Sequence, residues 1–363
     1  MLIPPDALYR ARAGRPSRRP IDVRSPGEVA RGAIPGAVEI PILNDEERHE
    51  VGLRYALDGP DAAFEEGRAR TEPDMRRRAA AWRAAAAAEP SVFMCWRGGQ
   101  RSELAQRLAA HQGTPRIDGG YKALRAHLTE SLGSSLERRT AWVVTGATGS
   151  GKTVLLNDAA ELPSLLALDL EGAAEHRGST FGATGPQPAQ ATFEHRLLIP
   201  LLLGDESRLL LENESRNVGR VHLPEPLYET VRSAPLLVLE ESLDDRVARI
   251  HDEYARRPAL RDGEAAVLEE LSAAIGRLRR RLGAEPTERM VAALHDAKAQ
   301  NAWHDAQAFR PVIEPLLLDY YDPLYRKATP TDGRTVLARG GREELLTWLR
   351  NETLRNENLP SPA

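Results

Sequence analysis

Ala141-Trp142-Val143-Val144-Thr145, running directly into Gly146-Ala147-Thr148-Gly149-Ser150-Gly151-Lys152-Thr153, decides the architecture of the larger part of this chain. The octapeptide satisfies G-x-x-x-x-G-K-[ST] at every fixed position. The apolar run before it reads as a strand and Val154–Glu161 after it as a helix, which is the setting such a loop needs. Its glycines let the backbone curl until successive amides face inward, and the positive end of the following helix adds to their field. Gly146, Gly149, Ser150, Gly151, Lys152 and Thr153 are therefore the expected phosphate-binding residues, with Lys152 on phosphate oxygens and Thr153 available to Mg²⁺.

Downstream, apolar runs ending in acids recur at Leu165–Asp169, Leu209–Glu212 and Leu236–Glu240, separated by helix-length segments such as Phe193–Leu203 and Pro226–Ser233. That alternation predicts a doubly wound parallel α/β sheet. Beyond Leu243 the chain turns helical and charge-laced, through Arg246–Arg257 and Ala265–Leu282, as a helical extension. Asp169 and Glu212 are candidates for a metal shell and serve equally well as strand caps. No Asn-Lys-x-Asp box follows the loop, so guanine-specific recognition has no support.

Upstream, Leu132–Arg139 is small, polar and charged, and reads as a boundary between residues 1–133 and 139–363. At 363 residues two domains are the expectation from length, and 41% hydrophobic residues allow each a core. The first part is itself α/β: short strands at Pro20–Arg24, Ala37–Ile40 and Ser91–Cys95, one or two helices over Ala62–Ala88, and an amphipathic Ser102–His111. The single cysteine, Cys95, excludes an internal disulfide and paired-cysteine zinc sites, and fits a reducing compartment. With no signal-peptide core and no membrane span in view, the expected location is the cytoplasm, away from membranes. A net charge of −4 argues against non-specific coating of nucleic acid but leaves room for a local basic groove. Only four of the 49 basic residues are Lys, so nearly all positive charge is Arg, which suits phosphate recognition and equally reflects a GC-rich genome.

Cys95-Trp96-Arg97-Gly98-Gly99-Gln100-Arg101-Ser102 is the second loop set between a strand and a helix. Inward amides, the helix N-terminus, Arg97 and Arg101 all favour a thiolate, so Cys95, Arg97 and Arg101 are the expected catalytic residues. Trp96, Gly98, Gly99, Gln100 and Ser102 complete the expected anion loop. The plain alternative, an inert buried cysteine, needs neither two glycines nor two arginines beside it. Here the sequence resembles the rhodanese family: Ile21–Glu28 looks like its early strand and turn, Gly32-Ala33-Ile34-Pro35-Gly36-Ala37 its G-x-I-P-G-A segment, and Asp118-Gly119-Gly120-Tyr121 its closing element. Cys95 and Arg101 enclose five residues where common sulfur-transferring members have four, and relatives with the longer loop handle larger oxyanions.

A rhodanese-like domain followed by a P-loop domain resembles the tRNA 2-selenouridine synthase family, and further blocks carry the likeness. These are Cys95–Ser102, Leu168–Gly172 with His176-Arg177-Gly178-Ser179 and Phe181-Gly182, Glu212–Arg216 with Val218-Gly219, and Tyr320–Tyr325. Residues 45–67, with Arg48, Val51, Gly52 and Gly67, also match. The resemblance implies a transferase acting on tRNA that carries a 5-substituted 2-thiouridine at the wobble position. The sulfur is first geranylated from geranyl diphosphate, and selenium from selenophosphate then replaces the geranylthio group, with Cys95 carrying selenium as a selenylated cysteine. It implies no tightly bound cofactor, with Mg²⁺ a candidate through Thr153.

His176, Arg177, Arg216 and Arg220 are the candidate tRNA contacts, and Arg196, His222, Tyr320, Tyr321 and Tyr325 are weaker ones that serve as readily in salt bridges or core. Two other readings keep both loops. One is a rhodanese-type sulfurtransferase or phosphatase fused to a small-molecule kinase; the other is a docking module that regulates a P-loop NTPase.

Overall fold

The computed structural model of the chain describes residues 1–9, 16–110, 113–176, 186–328 and 333–355. It divides into two compact units: Met1–Arg138 with Gln187–Asp205 and Arg220–Leu227, and Arg139–Pro186 with Glu206–Gly219 and Tyr228–Ala363.

The first unit is built on a five-stranded parallel sheet in the order Leu2–Ile3, Arg116–Ile117, Ser91–Met94, Arg19–Asp22, Val38–Glu39. Ser91–Met94 is central and buried at every position, as its unbroken apolar run demands. It ends one residue before Cys95, so the loop emerges from the carboxyl end of the sheet, where open α/β folds place their sites. The helix anticipated over Ala62–Ala88 is present, and a further helical stretch from Asp45, not anticipated, leads into it across a break at Gly59. Asn44 accepts from the Glu47 amide while Glu47 reaches back, a reciprocal cap that starts the helix early, and Gly59 breaks it at φ 87° ahead of Pro60. Trp82 pins its second half by donating Nε1–H to the Ile40 carbonyl, 2.9 Å away.

The chain passes from the first unit to the second between Arg138 and Arg139, and the stretch just before it, Leu132–Glu137, is helical. The helix Gln190–Leu203, which lies between two strands of the second sheet in sequence, belongs to the first unit. Its burial explains why: Thr192 Oγ1 accepts from the Ala33 amide at 2.9 Å, His195 Nδ1 meets the Ala33 carbonyl at 2.8 Å, and Phe193 and Leu197 are buried.

The second unit carries a five-stranded parallel sheet in the order Val336–Gly340, Leu236–Leu239, Thr140–Thr145, Arg208–Glu212, Leu165–Leu168. The strand that feeds the phosphate loop is central, with Trp142, Val144, Leu210 and Leu237 in its core. The edge strand Val336–Gly340 went unanticipated because it is mostly exposed and holds Arg339 and Gly340. The helical extension packs Val247, Ile275, Leu294, Trp303, Phe309 and Val312 into a separate core. Two π-helical turns, Asp252–Arg256 and Leu316–Tyr321, interrupt it. Among the described residues no helix is long and apolar enough to cross a membrane.

Candidate active site

In the second unit, Gly149 and Gly151 hold φ of 76° and 89°, the left-handed backbone the loop requires and only glycine adopts cheaply. A Cβ on Gly146 would stand 2.6 Å from Ser150 Oγ and 2.8 Å from the Leu239 carbonyl. Helix Lys152–Ala159 starts at the loop, so its free amides face the same space. Lys152 Nζ donates to the Gly146 carbonyl at 3.1 Å, folded over the loop it would serve. Ser150 Oγ is buried and has no hydrogen-bond partner among the described residues, a polar group left for a ligand. Helix Leu243–His251 clamps the loop from outside. Arg246 donates to the Thr148 carbonyl at 2.9 Å and Arg249 to the Gly149 carbonyl at 2.5 Å. Arg246 is itself held by a buried two-pronged ion pair with Asp322, at 2.6 and 3.1 Å.

Acids gather beside Lys152. Glu212, at the end of Arg208–Glu212, is fully buried; its Oε1 accepts from Thr153 Oγ1 and its Oε2 from the Glu171 amide, both at 3.3 Å. Burial first, then the charges of Glu171, Asp169 and Glu214, push its carboxyl up to about 8, against the pull of Lys152. Glu214 rises to about 7, again chiefly through burial and then Glu171. Asp169 instead caps helix Leu170–Ala173, accepting from the Gly172 amide at 2.7 Å. Of the two shell candidates, Glu212 thus touches Thr153 while Asp169 is engaged as a cap. Among the described residues no three His, Cys, Asp or Glu stand as a ready metal cluster.

In the first unit the cysteine loop is shaped by two glycines set back to back. Gly98 has φ 68°, and its missing Cβ would lie 2.6 Å from the Ile117 carbonyl; Gly120, at φ 60°, would collide with the Gly98 amide at 2.3 Å. The Tyr121 amide donates to the Cys95 carbonyl at 2.9 Å and the Lys122 amide to the Trp96 carbonyl at 3.0 Å, closing the loop against Gly120–Glu130. Cys95 Sγ lies 3.3 Å from Ser102 Oγ, which donates to the Gly99 carbonyl. Helix Gln100–Ala109 begins directly after Gly99. Arg101 is locked to Glu28 by bonds of 2.5 and 3.0 Å. Burial alone would raise Glu28, but the hydrogen bond and charge of Arg101 outweigh it and hold the carboxyl below its ordinary value.

Cys95 is only 3% exposed, yet it opens onto a cleft of about 810 Å³ that Trp96, Arg97, Gly99, Gln100 and Arg101 also line. Gly98 and Ser102 support the loop from behind. All eight residues of the expected loop therefore sit together, six of them on the cleft.

Comparison with known proteins matches residues 139–356 to the tRNA 2-selenouridine synthase AAA domain and residues 5–127 to the rhodanese-like domain. A tRNA 2-selenouridine synthase of Marinobacter nauticus is 38% identical over 353 residues, covering 92% of this chain and 94% of its own. Those of Cupriavidus necator and Bordetella bronchiseptica are 39% and 38% identical, covering 92% and 91% of this chain and 94% and 93% of theirs. The chain belongs to the tRNA 2-selenouridine synthase family.

Several family blocks gain a physical reading from the geometry. Glu212–Arg216 contributes the buried acids beside Lys152, and Ser215 closes its own turn on the Asn217 carbonyl at 2.6 Å. Tyr320–Tyr325 is partly scaffold: Tyr320 is buried in the helical core, Asp322 anchors Arg246, and Tyr325 shares a hydrogen bond of 2.9 Å with Thr145. Of the candidate tRNA contacts, Arg216 is exposed in the second unit, with its guanidinium 5.9 Å from the Tyr228 ring centroid. Arg220 is exposed in the first unit. His176 has a buried Nδ1 with no partner among the described residues. Arg177, with the rest of the 177–179 and 181–182 block, lies outside the described residues. Sequence reasoning missed the parts of both sites that hold other residues: Glu28, Glu171, Glu214, Arg246, Arg249 and Asp322. Four of them stood in quoted blocks, so co-occurrence in a block was the available signal; Arg246 and Arg249 carried none.

Proposed function

We propose that the protein converts a 2-thiouridine at the wobble position of tRNA to 2-selenouridine in two steps that use different units. In the first, the thione sulfur attacks C1 of geranyl diphosphate; the S–C bond forms, the C–O bond breaks, diphosphate leaves with the electron pair and N3 of the base gives its proton to solvent. Lys152, the loop amides and the helix N-terminus bind and stabilise that leaving group. Thr153 and Glu212, 3.3 Å apart, would hold Mg²⁺, which when bound would neutralise diphosphate charge. In the second step selenophosphate binds at the Cys95 loop and the Cys95 thiolate attacks its phosphorus; the P–Se bond breaks with its electron pair on selenium. Water later frees phosphate from the cysteine, and the hydrogen selenide ion released attacks C2. The C2–Se bond forms, the C2–S bond breaks, and geranylthiolate leaves with the electron pair and takes up a proton. Alkylating the sulfur first makes it the better leaving group.

The observation that supports this reading above others is the pairing of a loop shaped for a phosphate chain, with Ser150 Oγ unpartnered inside it, and a nucleophile that opens onto a cleft large enough for a nucleobase. The name shared by relatives of near-equal length, tRNA 2-selenouridine synthase, supports the substrate class and the product. The test is nucleoside mass spectrometry after incubating the enzyme with thiolated tRNA and geranyl diphosphate, then selenophosphate. S-geranyl-2-thiouridine followed by 2-selenouridine is the expected series. ATP turnover on which geranylation depends would overturn the group-transfer role given to the phosphate loop.

A further inference from the structure

The wall of the Cys95 cleft opposite the loop comes from the kinked helix Asp45–Ala88, and that helix is unusual. Only four of its 44 residues are buried: Ala63, Thr71, Trp82 and Ala86. Around the kink it leaves large apolar side chains uncovered: Leu53 is 45% exposed, Tyr55 62% and Phe64 39%. All three line the cleft, with Val51 and Leu104 deeper in. Gly52 and Gly99 line it too, and a Cβ on either would meet nothing within 4 Å, so both widen the space. Glycine is a weaker helix former than alanine, and no close neighbour at Gly52 requires its missing side chain. Arg48, Arg68 and Arg97 ring the same cleft; Arg48 pairs with Glu28 and Arg68 with Glu65, while Arg97 has no ion pair among the described residues. One wall is hydrocarbon, the rim is cationic, and the floor is the nucleophile.

We infer that this cleft binds the S-prenylated nucleobase, with the ten-carbon tail of the leaving group lying along Val51, Leu53, Tyr55 and Phe64 and the flanking RNA phosphates on the arginine rim. The inference rests on the S-geranyl intermediate proposed above and names where that intermediate sits. Size decides between pockets. A cavity of about 150 Å³ holds benzene, so ten carbons need roughly 250 Å³. The cleft's 810 Å³ takes the tail and leaves room for the base. The apolar cavity in the helical extension, beside Thr148, Ile250 and Leu317, is about 60 Å³ and admits only a fraction of such a tail. A hydrophilic substrate alone would gain nothing from the uncovered leucine, tyrosine and phenylalanine.

The experiment uses the full chain with an anticodon stem-loop bearing either S-geranyl- or S-methyl-2-thiouridine, at one fixed salt concentration. Binding is read by fluorescence anisotropy, and conversion with selenophosphate by mass spectrometry. The wild type should prefer the geranyl RNA by ~30-fold or more, given ~0.8 kcal/mol for each buried CH₂ even when only part of the tail is covered. Phe64→Ala should cut that preference about tenfold through KM, as expected when one large apolar contact is removed, while S-methyl binding stays within about twofold. Gly52→Leu, which the helix accommodates, should also cut it by filling the cleft. Equal binding of the two RNAs by the wild type, or equal loss for both in Phe64→Ala and Gly52→Leu, overturns the inference. If the wild type never converts the S-geranyl RNA, the proposed two-step reaction falls first; conversion without tail dependence sinks only the placement of the tail.

Discussion

Glu212→Gln should make the ligand-free protein more stable at alkaline pH, by an amount the site predicts. The Glu212 carboxyl is fully buried and raised to about 8 from an ordinary value of 4.5. A raised acid keeps its proton in the folded state after the unfolded chain has released it. Between those two values the folded state therefore binds more protons, and stability falls as pH rises. The slope is about 1.4 kcal/mol per pH unit for one group, so from pH 5 to pH 8 the cost approaches ~4 kcal/mol. Glutamine is close in shape to the protonated acid, and still offers one carbonyl to Thr153 or the Glu171 amide. At pH 5 the two proteins should thus agree within about 1 kcal/mol, one weakened hydrogen bond. At pH 8 the variant should lead by several, and its Tm by on the order of 10 °C for a unit of this size. The assay is thermal or urea unfolding at pH 5, 6, 7 and 8, without phosphate or divalent cation. Parallel curves for the two proteins would refute the claim that Glu212 is held protonated by its surroundings.

Three further outcomes follow from the geometry. Cys95→Ala should abolish selenium incorporation and spare geranylation, read as accumulated S-geranyl nucleoside by mass spectrometry; equal loss of both steps in a folded variant contradicts the division of labour. Asp322→Asn leaves the buried Arg246 guanidinium half-paired and loosens its grip on the Thr148 carbonyl, so a loss of about 3 kcal/mol in urea unfolding should accompany weaker diphosphate binding by calorimetry. Gly98→Ala must place a Cβ 2.6 Å from the Ile117 carbonyl at a φ of 68°, and should cost about 2 kcal/mol or more together with the Cys95 chemistry, whereas Gly99→Ala, with open space around it, should leave stability nearly unchanged.

Both loops were legible because each is a local structure. A glycine that must adopt φ near 76° or 89° and the strand and helix on either side of Gly146–Thr153 are all written within about a dozen consecutive residues. The same is true of Cys95–Ser102 between Ser91–Met94 and Gln100–Ala109. What was not legible is long-range. Glu28 finds Arg101 across 73 positions, and Arg246 finds Asp322 across 76. No spacing rule announces such pairs, because the sheet order that brings them together is itself a product of many weak preferences. The Gln190–Leu203 helix shows the same limit: its apolar content says that it is buried, but not beneath which sheet.

The helical stretch from Asp45 to the break at Gly59, which the sequence did not announce, bears on how function is carried. An Ala- and Arg-rich segment reads as a solvent-facing helix, and over Ala62–Ala88 that reading is adequate, with Trp82 and Ala86 docked and the charges outside. The sequence signal for something more is the clash of local rules around the break: Gly52, Gly59 and Gly67 inside a helix, Pro60 following a left-handed residue, and Leu53, Tyr55 and Phe64 with nothing over them. Each is unfavourable for an isolated helix, by propensity or by exposed apolar area. Gly67 lies against Val51, but among the described residues Gly52 and Gly59 meet no packing partner, and Leu53, Tyr55 and Phe64 face the open cleft that Cys95 also lines. Local choices that disagree with a stable fold tend to mark the surface a substrate completes. On that ground the kinked helix is the wall of the cysteine site rather than a spacer before it.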